Sequence, residues 1–93
     1  MFTNGTNQHV YSARNTQILA EALQRKGWTS TEFADFYQWI QAGRVVKKGE
    51  KGTPIEMFVD KKIEQDGKDE KLKVRKVKSV FNIEQTEERA IPS

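Results

Sequence analysis

Apolar residues first recur along the chain at helical spacing. Between Ser12 and Lys26, Ile18, Leu19, Ala22 and Leu23 share one face, while Glu21, Gln24 and Arg25 lie elsewhere. Arg25 and Lys26 then precede Gly27, which predicts a helix end with cations at its negative pole. The stretch TSTEFADFYQWIQAG predicts a second helix. Thr29 and Glu32 have capping-box spacing, Phe33, Phe36, Tyr37 and Ile40 share one face, and Gly43 supplies the stop. Trp39 falls roughly 100° from the centre of that stripe. That position borders the core or stands partly open.

Beyond Gly43 the period changes to two. Arg44 to Val46 reads as a short extended piece and KKGEKG as a turn. In TPIEMFVDK, Ile55, Met57 and Val59 alternate with Glu56, Phe58 and Asp60, which predicts a strand with Pro54 at its end or edge. A polar turn centred on Asp66-Gly67 leads to the partner strand LKVRKVKSVFNI. There Leu72 and Val74 have one parity, and Val77, Phe81 and Ile83 the other, so a bulge is expected near Arg75 and Lys76. Asn and Thr crowd the first residues. The organisation read from this is a flexible start over 1–10, one domain over 11–87 and a charged tail over 88–93. The fold class is α+β, with two N-terminal helices packed on a small antiparallel β-meander.

Composition narrows the picture. Ninety-three residues with 35% hydrophobic content build one modest core, and 10% aromatics argue against disorder. There is no cysteine, no apolar run near the ~20 residues that span a bilayer, and no basic-then-apolar N-terminus. A soluble, cytoplasmic protein is expected. The net charge of +3 is unevenly spread. Three cations balance three anions up to Gly43, twelve cations face seven anions from Arg44 to Lys78, and one faces three thereafter. The excess in the middle third suits a polyanionic partner or a solvated lysine-rich surface, and disfavours an acidic mimic of DNA.

Candidate chemistry changes little. His9, the sole histidine, lies beside no acid or nucleophile motif. Asp66, Asp69 and Glu70 cluster in a turn whose lysines would compete with a metal. The sequence GEKGTP has two residues between its glycines and opens a strand, whereas a nucleotide-hydrolysing phosphate loop needs four and opens a helix. No catalytic residue, metal or cofactor is expected.

Single-strand binding needs cations along a backbone path and aromatic faces under the bases. Arg44, Lys47, Lys48 and Lys51 at the turn, with Lys73, Arg75, Lys76 and Lys78 on the last strand, are the candidate phosphate contacts. Trp39, Tyr37 and Phe58 are the candidate stacking platforms, each with a place at the core edge as its alternative. Phe33 and Phe36 are assigned to the core.

Three blocks together carry a resemblance. Tyr11 and Asn15 in YSARNTQIL, then GRVVKKGEKGTPI, then VFNIEQTE from Val80 to Glu87 are similar in order and spacing to the N-terminal single-stranded-DNA-binding domain of ArdC antirestriction proteins. The family's further N-terminal helix with its proline-tryptophan segment and its His-Glu-x-x-His metallopeptidase domain have no counterpart here. The resemblance therefore implies the binding module alone, in a plasmid or phage protein that helps DNA escape host defence in the bacterial cytoplasm. Single-stranded DNA is the partner it implies. The alternative partner is a host nuclease or CRISPR effector protein, bound by an anti-CRISPR-type inhibitor. Binding of duplex DNA ranks last, since no helix is cationic enough to serve as a recognition helix. Asn82 and Gln85 are assigned structural roles at the strand end, and Val80, Phe81 and Ile83 to the core.

Overall fold

The computed structural model describes residues 1–65 and 67–89. The Asp66 half of the predicted turn and the end of the predicted tail, 90–93, lie outside the described residues. The chain runs β1 (Thr3–Asn4), α1 (Ala13–Lys26), β2 (Glu32–Ala34), α2 (Phe36–Gln41), β3 (Arg44–Val46), β4 (Thr53–Gln65), β5 (Lys68–Asn82), a 3-10 turn (Ile83–Gln85) and β6 (Thr86–Glu88).

The first helix forms as expected. Ser12 caps it by accepting the Asn15 N–H, and Gly27 ends it in the left-handed region at φ 73°, a conformation that costs glycine least. Leu19 and Ala22 on its apolar face are buried.

The predicted fold class needs correction. Among the described residues there is one full helix and one of six residues, set among strands, rather than two helices on a meander. Thr29 and Glu32 do not make a capping box. The Thr29 N–H is instead taken by the Glu84 carboxylate at 2.7 Å, and Glu32 to Ala34 form a strand. The box sits six residues on: Asp35 accepts the Gln38 N–H at 2.7 Å and Gln38 accepts the Asp35 N–H at 3.1 Å. Tertiary pairing thus overrides a helical pattern in the run around Phe33.

The main sheet has the order β1-β2-β5-β4, parallel between β1 and β2 and antiparallel elsewhere, so it is mixed. β3 and β6 form a separate antiparallel pair. The expected loose N-terminus is part of the fold: Thr3 and Asn4 pair with Glu32 and Phe33, and Asn4 is buried. β4 and β5 run in one unbroken register from Thr53↔Val80 to Gln65↔Lys68, so the expected bulge at Arg75 and Lys76 is absent.

The parity change has another cause: both faces of the sheet are covered at its base. Phe33 and Ala34 are successive residues of one strand, hence on opposite faces, and both are fully buried. On one face Leu19, Phe33, Ile55 and Val80 form a cluster, with Phe2, Tyr11 and Trp28 packed against it. On the other, Trp39 lies 1% exposed, its indole N–H donating to the Phe81 carbonyl at 2.9 Å. Its ring leaves room only for glycine at position 5, where a Cβ would come within 2.5 Å of it. Away from the base, β4 and β5 continue as a two-stranded arm. Met57, Phe58, Leu72 and Val77 are all exposed there.

Candidate nucleic-acid interface

Strand alternation sorts the predicted cations. In the unbroken register Phe58 pairs with Arg75 and Asp60 with Lys73, so these four share one face of the arm. Met57 pairs with Lys76 and Ile55 with Lys78, which puts those lysines on the opposite face. Phe58 is 65% exposed, with Arg75 across from it and Lys73 on the diagonal. Arg75 also bonds Glu56, which holds Arg14 at 2.6 Å as well.

Lys47, Lys48 and Lys51 are exposed on the turn between β3 and β4. That turn is fixed from beneath by buried Gln85. The Gln85 carbonyl accepts the Lys47 N–H at 2.9 Å, and its side-chain amide donates to the Lys51 carbonyl at 2.9 Å and to Glu50 at 3.1 Å. Its amide oxygen accepts the Asn82 N–H at 2.9 Å, and Asn82 bonds the Ser30 carbonyl at 2.7 Å. The structural roles assigned to Asn82 and Gln85 hold. Val80 is buried, and Phe81 and Ile83 are half-buried. Gly49, at φ 86°, and Gly52, whose added Cβ would meet Ser79 at 2.9 Å, give the turn its tight path into β4.

Three assignments change. Trp39 is in the core and has no open face for a base. Arg44 is half-buried and committed to β6, donating to Thr86 Oγ1 at 2.7 Å and to the Thr86 carbonyl at 3.2 Å. Phe36, assigned to the core, is 46% exposed and meets Tyr37, 76% exposed, edge to face at 5.9 Å. The surface aromatics are therefore Phe36, Tyr37 and Phe58. A six-residue helix turns one narrow face inward, and Trp39 takes it.

Between the base of the arm, the start of α1 and the N-terminal loop lies a cleft of about 650 Å³. It is lined by Ile55, Met57, Phe58 and Val80 from the long strands, by Asn7, Tyr11 and Gln38 from the N-terminal loop and α2, and by Lys78 and Arg14. Lys78 pairs with Asp35 at 2.6 Å. Burial disfavours the charged form of Asp35, but the Lys78 ammonium and the backbone N–H groups of Gln38 and Tyr37 outweigh it and hold the carboxyl below its usual range. Burial pushes the Tyr11 phenol up to about 12, against a bond from Asn4, so it stays protonated and donates to the Phe33 carbonyl at 2.8 Å. Asn15 grips the edge of β4 like an added strand, accepting the Glu56 N–H at 2.9 Å and donating to the Glu56 carbonyl at 2.7 Å.

The depressed Asp35 value sets a pH dependence. Its contribution to stability is present above the ordinary carboxylate range and is lost as pH falls through the lowered folded-state value. Asp35→Asn keeps the cap acceptor and removes the ion pair. Its stability should therefore fall less steeply on the acid side than that of the parent in urea midpoints measured from pH 6 to pH 3. Parallel acid limbs would show the pair to be energetically silent.

A family model described as the N-terminal domain of anti-restriction factor ArdC matches residues 1–91. The chain belongs to the ArdC N-terminal domain family. The crystal structure of metal-free antirestriction protein ArdC from plasmid R388 superposes with a TM-score of 0.87 at 27% identity, over 97% of this chain and 33% of that one. The Mn(II)-bound ArdC structure gives 0.79 at 28% identity, over 97% and 35%. The chain thus spans about a third of the length of those ArdC chains. Among curated protein sequences none matches. The resemblance to ArdC rests on Tyr11 and Asn15, on Gly43 to Ile55 and on Val80 to Glu87. Three of these residues join elements in the structure: Tyr11 to β2, Asn15 to β4, and Gln85 to the turn. No helix among the described residues is long and apolar enough to cross a membrane.

Proposed function

We propose that this ArdC-type domain is a non-catalytic single-stranded-DNA-binding module serving DNA that enters a bacterial cytoplasm and must evade restriction. The observation that carries the reading is the face of the arm on which exposed Phe58 lies opposite Arg75 and diagonal to Lys73. An aromatic plane bordered by cations is what a flexible strand needs: a base stacks on the ring and its phosphates reach the charges. Stacking and charge recognise every base and carry no code. A duplex keeps its bases stacked inside and offers only phosphates. The exposed lysine turn at the start of β4 extends the cationic path.

Fluorescence anisotropy with labelled single-stranded and duplex oligonucleotides across a salt series tests this. Single strands should bind more tightly than duplex, and log K should fall linearly with log salt, by roughly 0.7 per phosphate contacted. Absence of salt-dependent single-strand binding, or a preference for duplex, overturns the proposal.

A further inference from the structure

The cleft beside the arm, which Phe58 borders, carries polar side chains of its own. Gln38 and Asn7 both line it. The Gln38 amide oxygen accepts the Asp35 N–H at 3.1 Å and the Asn4 side-chain amide at 2.8 Å. A backbone N–H can be accepted only by the oxygen, so the Gln38 amide orientation is fixed. The same holds for Asn7, whose side-chain oxygen accepts the His9 N–H at 2.9 Å. Both oxygens are used within the protein. Gln38, whose oxygen already accepts two bonds, has only its two N–H donors left to offer, and Asn7 has two N–H donors and one further lone pair. The apolar side chains of Ile55, Met57 and Val80 line the same cleft.

We infer that this cleft takes one unstacked nucleobase of the diketo type, thymine in DNA, and that it rests on the single-strand reading proposed above. The ring lies against the apolar wall, and its carbonyl oxygens accept from the Asn7 and Gln38 amides. Thymine presents two carbonyl acceptors, O2 and O4. Adenine and cytosine carry an exocyclic amino group that sets N–H against N–H at such a site. A volume of about 650 Å³ holds a base with part of its sugar. The domain then binds strands of any sequence through Phe58 and the cations and favours those that can seat a thymine.

The test compares labelled dT and dA oligomers of one length at one salt, for the parent protein and for Asn7→Asp. The aspartate still accepts the His9 N–H, so the loop keeps its bond, but it presents an acceptor in place of two donors. Its added negative charge weakens both oligomers alike and cancels in the dT/dA affinity ratio. The parent should favour dT, and Asn7→Asp should lower the ratio about tenfold. In NMR titrations with dT, the side-chain NH2 signals of Asn7 and Gln38 should shift while that of Asn82, buried outside the cleft and donating to the Ser30 carbonyl, stays in place. No dT preference, an unchanged ratio in Asn7→Asp, or static Asn7 and Gln38 amides overturns the inference and leaves single-strand binding intact. Absence of salt-dependent binding by every oligomer removes the underlying reading and this one with it.

Discussion

Trp39→Ala should leave much of the protein unfolded at room temperature. Truncating a fully buried tryptophan costs about 3–5 kcal/mol through lost burial and the cavity it leaves. A domain of this size has on the order of 5 kcal/mol in total, since a short chain buries a smaller share of its surface. Two local facts argue against relief by collapse. The Phe81 carbonyl loses its indole donor, and the bare backbone of Gly5 has no side chain to fill the gap. Trp39→Phe is the milder truncation, because it keeps one aromatic ring while losing the N–H and about a third of the indole; about 1–3 kcal/mol is expected there. Urea titrations followed by circular dichroism measure both. An alanine variant as stable as the parent would show that the ring is not a core element.

That residue marks the boundary of what the sequence made legible. The first helix, its Gly27 stop, the long hairpin and the structural roles of Asn82 and Gln85 were readable because each rests on local chemistry: a cap, a left-handed glycine, alternation, a strand end. The second helix was misread for a physical reason. Phe33 and Phe36 have helical spacing, but Phe33 belongs to a strand whose partner, β5, lies nearly fifty residues on, at Asn82. Thr29 to Glu32 and Asp35 to Gln38 carry the same capping spacing, and only the second is used. Choosing between them requires knowing that Glu84 already occupies the Thr29 and Ser30 N–H groups, bonds that hold the Glu84 carboxyl below its usual range.

The site was legible in its charges and illegible in its surfaces. The cationic middle third was plain, but alternation places Arg75 and Lys76 on opposite faces of one strand, and Arg44 proved to be a strut against Thr86. The parity switch at Val77 suggested a bulge. Its cause is that a sheet covered on both faces at its base becomes an exposed arm further out, and a pattern read along one strand does not say where cover ends. The cleft had no signal of its own, since its lining comes from the N-terminal loop (Asn7, Tyr11), α2 (Gln38) and β4 (Ile55, Met57).

Phe58→Ala combined with Lys73→Glu should produce the largest loss of single-strand affinity among exposed substitutions. Removing one stacked base costs roughly 1–3 kcal/mol, about 5- to 150-fold in affinity. The charge reversal removes a phosphate contact and places a repulsive group in its stead, which also flattens the salt slope by roughly 0.7. Both side chains are exposed on an arm that adds nothing to the buried cluster of Leu19, Phe33, Ile55 and Val80, so stability should be nearly unchanged. Reversal of Lys47, Lys48 and Lys51 is the informative comparison. It should flatten the slope further, by up to roughly 2, without the stacking loss, because no aromatic candidate lies on that turn. The two variants thus separate the terms: the arm variant changes affinity even at high salt, where charge is screened, and the turn variant only at low salt. Equal behaviour of the two would mean that Phe58 stacks on nothing, and that the strand follows the charge path alone.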